Sequence, residues 1–147
     1  MSANSRRPAG VTLVALALFF FFVSAIGNLL VRRSIQDASF PAGSPGATFA
    51  AALNGPLYVP LIAFYAVTAL GASIAAWRMH PWMPRAFLFW SGAALLLGAF
   101  FLTIIPTEIL LGGKPAAAAF ELGMAAVLWL IYGYLRRAAL AGANAAL

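Results

Sequence analysis

A chain of 147 residues with 64% hydrophobic and only 8% charged side chains has too little polar surface to be covered by water. Soluble domains carry about 25% charged residues. The net charge of +6 does not point to nucleic acid, because the bases sit in pairs at the ends of apolar runs, where membrane proteins place topology signals.

The apolar runs cover about residues 8–31, 56–77, 85–106 and 115–135. Each is close to the roughly 20 residues a helix needs to cross a ~30 Å hydrocarbon core. Runs such as Leu16-Ala17-Leu18-Phe19-Phe20-Phe21-Phe22 do not alternate, so they do not fit the strands of a membrane β-barrel. Helices facing lipid on all sides account for the composition. The expectation is an all-α fold, a four-helix transmembrane bundle forming one integral domain over 1–147.

In the first run, Arg6-Arg7 precede an apolar core, and Val23-Ser24-Ala25 has the small-residue character of a signal-peptide cleavage site. Apolar character nevertheless continues through Ile26, Leu29, Leu30 and Val31, so a retained spanning helix is expected. The connection 32–55 opens on Arg32-Arg33 and is turn-rich from Pro41 to Gly46. Its segment Ala47–Leu53 reads equally well as a short surface helix or as a loop.

The second helix is expected to start at Pro56, with Pro60 one turn inside and able to kink it. Arg78 to Arg85 is a short connection, so the second and third helices are antiparallel neighbours. Trp77, Trp82 and Trp90 are read as an interfacial aromatic belt. The third helix runs to Pro106, or to Leu111, which would put Glu108 at the membrane boundary. Gly112-Gly113 make a turn and Pro115 begins the fourth helix, which closes on Trp129, Tyr132, Tyr134, Arg136 and Arg137.

With a cytoplasmic N-terminus, Arg6, Arg7, Arg78, Arg85, Arg136 and Arg137 fall inside and Arg32, Arg33 and Lys114 outside. That asymmetry agrees with the positive-inside rule, giving an N-in/C-in topology. The acids Asp37, Glu108 and Glu121 all fall on the outer side.

Glu121 is the residue with most chemical potential, since a carboxylate within a span must be paired, protonated or wet. Glu108, Glu121, Lys114, Arg32 and Arg33 are therefore read as a candidate membrane-boundary ion-pair cluster. A second reading has Glu108 and Glu121 sharing a proton, the minimum equipment for proton coupling. His80 is the only histidine, and no His, Asp and Glu cluster suggests a metal or haem site. The absence of cysteine removes disulfides and thiolate chemistry. No hydrolase elbow, zinc-protease motif or phosphate-cradling glycine loop occurs. No catalytic, cofactor or metal site is assigned.

Small residues four apart recur at Gly71 and Ala75, Ala72 and Ala76, and Ala119 and Gly123, the spacing that lets membrane helices approach closely. Asn28, beside Gly27, is read as a packing or capping residue.

Three segments carry a resemblance: Pro60-Leu61-Ile62-Ala63-Phe64, Met83-Pro84-Arg85, and Leu128-Trp129-Leu130-Ile131-Tyr132 followed by bases. Together they resemble a family of small bacterial four-helix inner-membrane proteins of unknown function. Ile131 stands where that family has proline, Arg136-Arg137 replaces its serine-containing tail, and Tyr65 occupies an acidic position of its second helix. The resemblance implies a location and no activity.

The leading expectation is a non-enzymatic multi-pass protein of the bacterial inner membrane, without cofactor. Its partners would be the lipid bilayer and a larger membrane protein or a homo-oligomer. The alternative is a small proton-coupled transporter working as an oligomer. Small multidrug transporters are similar in size and helix count, but they carry an essential acid in the first helix, where this chain has none.

Overall fold

The computed structural model describes residues 8–36, 40–104 and 113–144. Among these the chain is all helical: α1 (Ala9–Gln36), α2 (Pro45–Asn54), α3 (Tyr58–Trp77), α4 (Met83–Ile104) and α5 (Gly113–Asn144). α1, α3, α4 and α5 are long and apolar enough to cross a membrane, and they correspond to the four runs expected.

The helix limits differ from the expected ones for local reasons. α1 continues through Arg32-Arg33, because arginine is a good helix former and no breaker occurs before Pro41. α2 is a helix: the Ser44 hydroxyl accepts a hydrogen bond from the Ala47 N–H at 3.2 Å, and Pro45 occupies the first turn. α3 begins at Tyr58 rather than Pro56, which places Pro60 in the first turn, where its missing N–H costs no hydrogen bond. α5 runs beyond both expected ends. Its 32 residues measure roughly 48 Å, longer than the ~30 Å hydrocarbon core.

α3 and α4 are joined by a tight turn. The His80 N–H bonds to the Ala75 carbonyl and the Met79 N–H to the Ala76 carbonyl, a paired closure of the helix end. Met79 takes the left-handed position at φ 52°, where glycine is the usual residue. The His80 Nδ1 accepts from the Trp82 N–H at 3.2 Å, so this lone histidine shapes the turn.

α1 packs along α3, α3 along α4, and α4 along α5. Two buried clusters divide the bundle along its length. The turn-end cluster takes residues from every long helix: Val11, Ala15 and Leu18 of α1, Ala69, Ala72 and Ala76 of α3, Met83, Phe87 and Trp90 of α4, and Leu128 and Leu135 of α5. The cap-end cluster joins Ala25, Tyr58, Ile62, Ala66 and Leu97 to Leu53 of α2, and among the described residues it includes none from α5. Tyr65 and Phe22 pack against both.

Backbones come closest along the α1–α3 seam. The Ser73 hydroxyl donates to the Ala15 carbonyl across this interface at 2.8 Å, and Ala69, Ala72 and Ala76 of α3 are fully buried in the turn-end cluster beside it. Of the expected small-residue pairs, Ala72 and Ala76 are buried in the turn-end cluster. Gly71 and the Ala119–Gly123 pair face outward instead, and a Cβ on Gly71 or Gly123 would meet nothing within 4 Å. Asn28 is likewise exposed on α1. Trp90 does not join an interfacial belt. It is buried at mid-bundle, its ring 5.4 Å from Phe21 and from Phe87 and 6.1 Å from Tyr65. Trp77 and Trp82 remain exposed near the turn.

Candidate functional site

Glu121 lies eight residues after the start of α5, roughly 12 Å along its axis. Most of the α5 residues that are not exposed, among them Ala117, Glu121, Ala125, Leu128, Tyr132, Leu135 and Ala139, fall on one stripe. The spacing of three and four places them on one helical face. Glu121 therefore occupies a packing position, flanked one turn away on either side by alanine.

Gly98 of α4 makes the seat for this carboxylate. A Cβ on Gly98 would collide with Glu121 Oε1 and would lie 2.6 Å from Glu121 Cδ. A Cβ here would move the carboxylate aside, so glycine lets it rest close against α4. The surrounding chemistry is apolar: α4 from Ser91 to Ile104 contains no charged residue.

The other expected members of the cluster spread over the same end of the bundle. Arg32 is half-buried in the last turns of α1 and lies close enough to Tyr58 of α3 to act on it electrostatically. Its Nε is buried without a hydrogen-bond partner. Tyr58 is packed edge-on to Phe101 at 6.2 Å, and Phe49 of α2 stacks on the same ring at 6.5 Å. Arg33 is exposed on α1, and Lys114 is exposed in the first turn of α5. Among the described residues no ion pair links Glu121 to Arg32, Arg33 or Lys114. Glu108 falls outside the described residues.

The arrangement thus brings together a base, a phenol and aromatic rings under α2, and separately a carboxylate and a glycine between α4 and α5. Among the described residues no group of three or more His, Asp or Glu side chains could hold a metal ion. Gly98 escaped the sequence reading. A glycine within an apolar run signals close approach, but not which partner approaches.

At the turn end two apolar grooves open on the outer surface. One of about 530 Å³ runs along α4 beside Phe64 and reaches Arg85. The other, about 430 Å³, lies between α1 and α3 and reaches Trp77 and Arg78. Comparison with protein-family models, with curated proteins and with solved structures finds no match to this chain.

Proposed function

We propose that this chain is a non-enzymatic integral protein of the bacterial inner membrane, acting as an accessory subunit that packs against a larger membrane partner along α5. The observation that carries this reading is the unequal attachment of α5. Among the described residues only Leu128 and Leu135 of α5 are buried, whereas α3 buries seven residues. Phe120, Leu122, Trp129 and Leu130 stand at least two-thirds exposed on a helix that the bundle itself scarcely covers. Both termini lie in the cytoplasm in this reading, because the starts of α1, the α3–α4 turn and the end of α5 share one end of the bundle with most of the bases.

Purification from the native membrane in mild detergent tests the proposal. A stoichiometric larger protein, crosslinked through cysteines placed at Leu122 or Leu130, is the expected result. A monomer carrying lipid alone, with no crosslink at either position, overturns it. Reporter fusions at Met79, Gly113 and Leu147 check sidedness, and an external signal at Met79 contradicts the N-in/C-in arrangement.

One observation favours the second reading, a proton-coupled transporter working as an oligomer. Glu121 presents a carboxylate in an apolar seam with no ion-pair partner among the described residues, a setting suited to a lipophilic organic cation. Uptake of tetraphenylphosphonium by proteoliposomes under a pH gradient, abolished by Glu121→Gln, would establish that reading and displace the subunit. The subunit reading expects no gradient-dependent uptake and only a modest change in stability for Glu121→Gln.

A further inference from the structure

The α4 groove has a shape and a charge that define an occupant. Its walls are Phe64, Leu88, Phe89 and Leu96, its floor includes Gly92, and Arg85 stands at one end. From Arg85 to Leu96 the helix rises roughly 16 Å, about half the ~30 Å hydrocarbon thickness and therefore one leaflet. The groove is wide because position 92 has no side chain, and a Cβ built there would meet nothing within 4 Å.

The mouth of the groove is positively charged and uncompensated. No acidic residue occurs anywhere from 38 to 107, so nothing on α3, α4 or their turn neutralises Arg78 and Arg85. The Arg85 guanidinium lies 5.7 Å above the Trp82 ring, which holds it at the mouth without using its hydrogen-bond donors. The second groove ends on Arg78 and Trp77, so the same turn places a base beside each groove.

We propose that the α4 groove binds an anionic phospholipid, with one acyl chain lying over Gly92 and its phosphate held by Arg85. The apolar walls take the chain, and the guanidinium supplies charge-assisted hydrogen bonds to phosphate oxygens. Arg78 adds attraction for the anionic headgroup from across the turn. A zwitterionic lipid fills the groove equally well but presents no net charge to the two bases. Selectivity between lipids therefore resides in the turn, and retention of the chain resides in the groove.

The test uses the full chain reconstituted in phosphatidylcholine vesicles, with brominated phosphatidylglycerol competing for the groove and tryptophan fluorescence reporting its arrival. Trp82 sits at the groove mouth, so bromine on a bound chain quenches it. The native protein is expected to prefer phosphatidylglycerol over phosphatidylcholine. Arg85→Gln should reduce that preference about fivefold, the effect of one interfacial base. Gly92→Leu starts from a position whose Cβ meets no protein atom within 4 Å and extends into the groove, so it should leave the unfolding midpoint unchanged and abolish the quenching specific to phosphatidylglycerol. Arg33→Gln, at the opposite end, should change neither. Equal binding of the two lipids by the native protein overturns the proposal. So does a preference left undiminished by Arg85→Gln or one that survives Gly92→Leu, since the first removes the phosphate contact and the second removes the chain site.

Discussion

At the turn end of the bundle all four long helices contribute buried residues to one cluster, whereas at the cap end α2 contributes and α5 does not. The turn end is built from alanines on α3 clustered with Val11, Ala15 and Leu18 of α1, Phe87 and Trp90 of α4, and two leucines of α5. The cap end is built from aromatic contacts among Tyr58, Phe100, Phe101 and Phe49. In lipid no hydrophobic force draws helices together, so attachment depends on packing and hydrogen bonds. The helix that brings two leucines and a half-buried carboxylate is held less firmly than the one that brings an alanine seam. α5 is thus fastened from its middle onward, at Leu128 and Leu135, and its first turns meet the bundle chiefly where Glu121 rests on Gly98.

The sharpest way to break this contrast is to remove the fastening. Leu135→Ala takes away a fully buried side chain and should cost about 2–5 kcal/mol, seen as a lower unfolding midpoint in detergent. Phe120→Ala, on the exposed face of the other half of α5, should leave that midpoint almost unchanged. Equal losses from the two would show α5 held along its whole length. A second change attacks the seam. Ala72→Leu forces three carbons into the packed turn-end cluster beside the seam and should destabilise by about 1–3 kcal/mol.

The contact between Glu121 and Gly98 can be tested by a double-mutant cycle. Gly98→Ala must push the carboxylate off α4, so cysteine at Ala117 should be alkylated faster than in the native background. Adding Glu121→Ala should restore the original rate, giving a coupling of about 0.5–3 kcal/mol in the stability cycle. Additive effects would mean that the two residues do not touch. The smallest effect concerns the interhelical hydrogen bond of the turn end. Ser73→Ala should cost about 0.6 kcal/mol, because the Ala15 carbonyl keeps its own helical bond.

The positions of the spans were legible because crossing a membrane demands an uninterrupted apolar length, and length is a property of the chain alone. The same holds for the turn-rich stretch from Pro41 to Gly46, whose chemistry is local, whereas the helix α2 and its Ser44 cap were not distinguished from a loop. The candidate site was only half legible. Glu121 was conspicuous as an acid in an apolar run, but its seat on Gly98 joins residues on two helices whose rotation the sequence does not specify.

Composition and spacing by themselves determined the helix class, the number of spans and the antiparallel pairing across the short α3–α4 turn. The tertiary structure decided which face of each helix turns inward. It buried Trp90 at mid-bundle, chose Ala72 and Ala76 over two other small-residue pairs, and left α5 outside the cap-end cluster. The physical reason is that a lipid-facing helix is apolar all round. No stripe of hydrophobicity marks its inner face, and only side-chain shape meeting side-chain shape selects one.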